Sequence, residues 1–346
     1  MVNTIFDWQH TAWQQLQQLH ERLPHAILFH GAQGIGKTAF AEHFAQSMLC
    51  ESLPADGHPC GQCASCGWFV QYNHPDYRRV RPEVLDDDDG AEGEDAVETI
   101  EVKKTAKAAK APSKEIKIDQ IRALADFMNI STHRQGKRVI TLYPAEALNT
   151  AAANALLKML EEPPPDTIFL LISNSLDRLL PTILSRCRKF AMTMPSYDEA
   201  LLWLKAQGIK DPDVWLAEQG GAPLAAHALA QSDSREMMDA LLGYLASPGI
   251  DGALKTAERL QKIPLMDVVG WLQRWLYDLF SVKLCGTVRY YPRYRKELAG
   301  LANRAETNRL MIMLKAVNER RRIAGHPLSG KLFIEDMLLD YSTLFS

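Results

Sequence analysis

A parallel α/β domain built around a phosphate-binding loop, followed by a wholly helical second half, is the fold class this 346-residue sequence predicts. Ala26-Ile-Leu-Phe-His30 has the form of a short buried strand and runs straight into Gly31-Ala-Gln-Gly-Ile-Gly-Lys-Thr38. The candidate strands Arg138 to Tyr143 and Thr167 to Ser173 alternate with segments of helical periodicity, as in a parallel sheet joined by crossover helices. Beyond Pro195 no strand pattern occurs, and periodic apolar spacing continues to the end of the chain.

The elements follow in order. After the glycine loop, Phe40, Phe44, Met48 and Leu49 mark one helix face. From Cys50 to Cys66 cysteines replace the periodicity, and Tyr77 to Val80 is a candidate return to the sheet. Leu85 to Glu115 changes character, with Asp86-Asp87-Asp88-Asp89 and an Ala/Lys stretch. Few large apolar residues remain there to offset the entropy of ordering, so a disordered or loosely helical insertion is expected. Ile116 to Ile130 reads as an amphipathic helix, and Thr150 to Glu162 as an Ala/Leu-rich helix stopped by three prolines. These patterns divide the chain into an α/β domain over 1–195, a small helical unit over 196–233 and a larger bundle over 234–346. In the bundle, Trp271, Leu272, Trp275, Leu276, Leu279 and Phe280 share a helix face, which makes the tryptophans core or subunit-interface residues.

Composition narrows the function classes. An apolar fraction of 47% supports ordinary cores, and no run of eighteen apolar residues offers a membrane span. Met1 to His20 carries Asp7, Gln9 and repeated glutamine instead of a basic start and a greasy centre, which argues against a secretory signal. Six cysteines, four of them close together, suit a reducing compartment, and a cytoplasmic location is expected. A formal charge of −3 gives no global attraction to nucleic acid, so any DNA contact must come through local patches or partners.

Gly31, Gly34, Gly36, Lys37 and Thr38 complete a phosphate loop in its required strand-to-helix setting. The glycines let backbone amides wrap a phosphate, the helix N-terminus adds partial positive charge, Lys37 reaches the outer phosphates and Thr38 can hold Mg²⁺. Hydrolysis further needs an acid at the end of a neighbouring strand to hold the metal, and a second acid to activate water. The natural candidate strand ends in Tyr143-Pro144, which can do neither, with Glu146 and Asp76 the nearest displaced acids. The expectation is a loop able to hold ATP or ADP without hydrolysing it. Cys50, Cys60, Cys63 and Cys66 offer four soft ligands, enough for a closed tetrahedral Zn²⁺ site with a structural role. An iron–sulfur cluster would want a fourth cysteine soon after the third, where Val70 stands.

Leu23 to Thr38, the four cysteines, His74-Pro-Asp76, Asn154-Ala-Leu-Leu-Lys-Met-Leu-Glu-Glu-Pro163 and Leu184-Ser-Arg-Cys187 together resemble the clamp-loader branch of AAA+ proteins. The resemblance spans nearly all of the first 190 residues outside the acidic insertion, and implies an AAA+ domain, a helical lid and an all-α C-terminal collar. It implies that Arg186 is an arginine finger reaching the ATP site of an adjacent subunit, and that Ser173 and Asn174 lie where family members sense the γ-phosphate. The motor members, γ or τ, keep an Asp-Glu pair where Tyr143-Pro144 stand and a lid arginine where Pro223 stands, so the chain resembles the non-hydrolysing stator instead. Implied partners are the γ/τ motor subunits and a δ subunit in a heteropentamer of the DNA polymerase III holoenzyme. The sliding clamp and primer–template DNA would be met through that assembly, and no membrane is implied. Two alternatives remain open at this stage. One is a self-sufficient P-loop ATPase of the motor kind, marked by turnover that Lys37→Ala abolishes. The other is a zinc-dependent DNA-binding module, for which Arg289-Tyr-Tyr-Pro-Arg-Tyr-Arg-Lys296 and Arg320-Arg-Arg322 are the best evidence.

Overall fold

A computed structural model describes residues 5–19, 23–85, 112–130, 132–133, 136–232, 234–325 and 329–345. The chain divides into two compact units, Met1–Met194 and Pro195–Ser346. Most of the acidic insertion expected between Leu85 and Glu115 lies outside the described residues, as do the first four residues of the N-terminal segment.

The first unit is the expected α/β domain. In chain order its elements are α1 (His10–Gln18), β1 (Ala26–His30), α2 (Lys37–Leu49), α3 (Ala64–Val70), β2 (Tyr77–Val80), α4 (Ile118–Asn129), β3 (Arg138–Leu142), α5 (Thr150–Glu161), β4 (Thr167–Ser173), α6 (Pro181–Arg186) and β5 (Arg188–Ala191). The five strands form one sheet in the order β2-β3-β4-β1-β5, and every pairing is parallel. β1 and β4 lie side by side near the middle, in register from Ala26 opposite Phe169 to His30 opposite Ser173. Every residue of β4 is buried, which explains its unbroken apolar run. Leu28, Ile140, Leu142, Phe169 and Leu171 point to one face and pack with Ile121 and Leu124 of α4, Leu156 and Leu160 of α5 and Ile183 of α6. On the other face Phe29 meets Phe40 of α2 edge-on at 5.7 Å and Phe190 of β5 at 5.5 Å.

Local chemistry sets the element ends. Asn149 caps α5 by accepting the Ala152 N–H at 2.9 Å. α4 begins two residues later than the periodicity suggests, because Ile116 is spent on a bridge to Leu148. β3 ends at Leu142, one residue short of the expected Tyr143, although the Tyr143 N–H still donates to the Val80 carbonyl at 3.0 Å.

The second unit is helical among its described residues: α7 (Tyr197–Ala206), α8 (Pro212–Glu218), α9 (Pro223–Gln231), α10 (Ser234–Ala246), α11 (Ile250–Leu260), α12 (Leu265–Cys285), α13 (Arg295–Arg304), α14 (Thr307–Ile323) and α15 (Gly330–Ser342). Two apolar clusters organise it. A small one gathers Ala200, Leu204, Leu216 and Ala226 from α7 to α9, and a large one runs from Met238 to Leu344 around α12. Trp271 and Trp275 belong to the large core, and Trp275 Nε1 donates to Tyr341 Oη at 2.8 Å.

Candidate nucleotide and metal sites

The phosphate loop leaves β1 at Gly31 and enters α2 at Lys37. Gly34 and Gly36 take φ of 79° and 87°, a left-handed conformation that a side chain would strain, so the motif's glycines are required by its backbone path. From behind, the turn before α1 braces the loop. Trp8 Nε1 donates to the Ile35 carbonyl at 3.1 Å, and Gln9 Nε2 to the carbonyls of Ile35 and Gly36 at 3.0 and 3.1 Å. Phe6 packs so closely that a Cβ on Gly36 would stand 2.6 Å from its ring.

Lys37 is 4% exposed. Its Nζ donates to the Ala32 carbonyl at 2.5 Å and to Asn174 Oδ1 at 2.7 Å, and burial brings its pKa down to about 8 against the opposing pull of Glu146. The Asn174 N–H donates to Glu146 Oε1 at 3.0 Å, while Glu146 Oε2 is buried with no hydrogen-bond partner among the described residues. At the end of β3, Tyr143 turns its hydroxyl toward Glu42 of α2, 3.4 Å away, with Arg79 3.8 Å from the same carboxylate oxygen. Burial, with Glu42 adding to it, pushes the Tyr143 phenol up to about 12, so it is neutral in the physiological range. A neutral phenol cannot replace the metal-binding carboxylate. Asp76, the other displaced acid, is committed elsewhere: its Oδ1 accepts the His133 N–H at 2.9 Å.

The four cysteines come together as their spacing suggests. Their sulfurs all lie within 4.8 Å of one another, with Cys50 to Cys63 and Cys60 to Cys66 both at 4.0 Å. A tetrahedral thiolate site with metal–sulfur bonds of about 2.3 Å has edges of roughly 3.8 Å, so the arrangement fits a metal ion. Backbone N–H groups prepare the ligands: Cys60 donates to Cys50 Sγ, Cys63 to Cys60 Sγ and Cys66 to Cys63 Sγ at 3.3 to 3.4 Å. Donors from Gln62 and Cys63 hold the Cys60 thiol down to about 6, while burial pushes Cys50 and Cys66 up. The module is tied to the domain on two sides. His74 Nδ1 accepts the Asp76 N–H at 3.0 Å, so its other nitrogen carries the proton and donates to Ser65 Oγ at 2.7 Å. This arrangement makes the serine–histidine pair a fastening, with no activated nucleophile. On the other side His58 meets His43 of α2 at 2.8 Å under the stacked ring of Trp13.

Arg186 ends α6, while Cys187 beside it is buried. The side chain is one-third exposed and its guanidinium is ion-paired with Glu161, the last residue of α5, while Nη1 donates to the Thr182 carbonyl at 3.0 Å. Sequence reading did not single out Glu161, although it lies in the Leu-Glu-Glu-Pro run that carried the resemblance. The fold anchors the two basic runs at a few points, while Arg289, Arg293, Arg295, Lys296, Arg321 and Arg322 remain exposed. Asp278 accepts the N–H groups of Arg289, Tyr290 and Tyr291, and Arg320 pairs with Asp336 and Asp340.

A parallel sheet in this order with a phosphate loop after β1 defines a P-loop domain of the AAA+ class. Residues 8–196 match the family model described as DNA polymerase III, delta subunit. DNA polymerase III subunit delta′ of Pseudomonas aeruginosa is 35% identical over 310 residues, spanning 86% of this chain and 82% of the relative. The Haemophilus influenzae delta′ subunit is 30% identical over 98% of this chain and 96% of its own length, and that of Escherichia coli 28% over 91% and 88%. The chain belongs to the DNA polymerase III delta′-subunit family. Among the described residues no helix is long and apolar enough to cross a membrane.

Proposed function

We propose that this chain is the delta′ subunit of a cytoplasmic replicative clamp loader, a stator that assists a neighbouring ATPase without hydrolysing nucleotide itself. The carrying observation is the neutral end of β3, where Tyr143, facing Glu42, stands in place of a metal-binding carboxylate. Without that acid, Thr38 and Lys37 would bind nucleotide but could not position a metal for attack by water.

The chemistry this chain contributes is then a cation delivered to another subunit. Arg186 has a planar, permanently charged head that can pair with a transferring phosphoryl group, and its place at a helix end and its partial exposure leave it reachable. On docking it would exchange the Glu161 carboxylate for the phosphate of the neighbouring γ/τ motor subunit. Residues 196–233 would form the lid, and 234–346 the collar that holds the motors and the δ subunit in a heteropentamer. The sliding clamp and primer–template DNA are engaged by that assembly. Zn²⁺ in the four-cysteine module would act as a structural staple, since four protein ligands leave no open position.

The test is Arg186→Ala in a reconstituted assembly. The variant should fold normally and lower the DNA-stimulated ATPase rate by about tenfold or more, in line with arginine fingers elsewhere. Unchanged turnover would remove Arg186 from the role.

A further inference from the structure

We propose that Glu146 is a specificity-determining residue, and that through it the phosphate loop takes a nucleoside diphosphate in preference to a triphosphate. The inference deepens the non-hydrolysing reading, on which it rests, by naming the ligand class of the loop.

Three residues form a connected chain beside the loop. Lys37 Nζ donates to Asn174 Oδ1 at 2.7 Å, and the Asn174 N–H donates to Glu146 Oε1 at 3.0 Å. A lysine ammonium has three donors, and the Ala32 carbonyl at 2.5 Å takes a second of them. In a phosphate loop this lysine reaches the outer phosphates, so its present partners stand at the outer end of the binding site. The remaining oxygen of the carboxylate, Glu146 Oε2, is buried and has no hydrogen-bond partner among the described residues. An acceptor in that condition lacks a donor, and a terminal phosphate brings only further acceptors and further negative charge.

The two ligand classes therefore meet different costs. A diphosphate can be held by the loop amides, the start of α2 and one remaining Lys37 donor, leaving the Lys37–Asn174–Glu146 chain in place. A triphosphate must draw Lys37 and Asn174 away from their present partners and set its terminal group near a carboxylate. In an AAA+ motor, an acid at the end of β3 would hold Mg²⁺ there and offset the added charge. Here that position is the neutral Tyr143, turned toward Glu42. Glu146 thus combines two effects, tethering the lysine's partner and repelling the third phosphate.

Calorimetric titration of the isolated full chain with Mg·ADP and with a non-hydrolysable ATP analogue tests this directly. The wild-type chain should bind ADP about tenfold or more tightly than the triphosphate. Glu146→Gln, which keeps an acceptor for the Asn174 N–H but removes the charge, should shrink that ratio severalfold, chiefly by tightening the triphosphate. Equal or tighter triphosphate binding by the wild type would overturn the proposal, as would failure to bind either nucleotide or an unchanged ratio in the Gln variant. Because no partner is present, the outcome is separate from that of the Arg186→Ala experiment: either can fail while the other stands.

Discussion

Lys37 illustrates how a motif residue can be costly to the fold that carries it. Its pKa falls to about 8 because burial disfavours the ammonium, with Glu146 only partly offsetting that effect. Near pH 7 the lysine is charged in both folded and unfolded chains, and the folded chain bears the penalty. As pH rises through about 8 the folded chain releases the proton first, while the unfolded chain holds it to about 10.4, so stability climbs across that window. Lys37→Met should therefore stabilise the first unit at pH 7 by on the order of 1 to 3 kcal/mol, and the gain should vanish above about pH 10.5. Urea unfolding at both pH values checks it, and a Met variant less stable at pH 7 would count against the buried-cation account. The motif itself was legible because its residues are adjacent in the chain, and so were the four cysteines. Asn174 as the partner of Lys37 lies 137 residues away, and Glu161 as the partner of Arg186 lies 25 away. Such pairs depend on how β4 and α5 are placed, which no local spacing encodes.

At the level of elements, burial decided what could be read. β4 and β3 are buried throughout, and appear in the sequence as the apolar run Ile168 to Ile172 and as the Val139, Ile140 and Leu142 pattern. β5 sits at the sheet edge with only Phe190 buried among Arg188, Lys189 and Ala191, and α1 shows only Trp13 and Leu16 buried among glutamines, so neither produced a clear signal. The cysteine module is the opposite case, an element with little core whose ligand spacing made it plain. Its stability should rest on metal: a chelator, or Cys60→Ser, should lower the melting temperature of the first unit by several degrees and release the fastenings at Ser65 and His58, followed by hydrogen exchange over residues 50–74. A module as protected without metal as with it would mean that Ser65–His74 and His43–His58 suffice. In the helical half, sequence cannot reveal that Asp278, fully buried on α12, collects the three consecutive N–H groups of Arg289, Tyr290 and Tyr291. Asp278→Ala should cost about 3 kcal/mol or more by leaving these donors unpaired, whereas Asp278→Asn, which retains an acceptor oxygen, should cost less. Equal losses in the two variants would refute that role.

Over the whole molecule, the division at Met194 and Pro195 separates two cores built by different means. The first unit closes around a parallel sheet and a cysteine module, and its largest apolar cluster contains no residue beyond Cys187. The second closes around α12, where Trp275 donates to Tyr341, Tyr341 to the Leu245 carbonyl of α10, and Tyr244 to the Leu338 carbonyl of α15. Since each unit buries its own apolar residues, a perturbation inside one should pass weakly to the other. Scanning calorimetry of the full chain should resolve two transitions, of which only one responds to the chelator and only the other to Asp278→Ala. Combining the two perturbations should reproduce the sum of their separate shifts to within about 0.5 kcal/mol. A single transition moved by both would show that the units unfold as one cooperative block, and that a change at the phosphate loop is felt directly in the helices proposed to hold the ring.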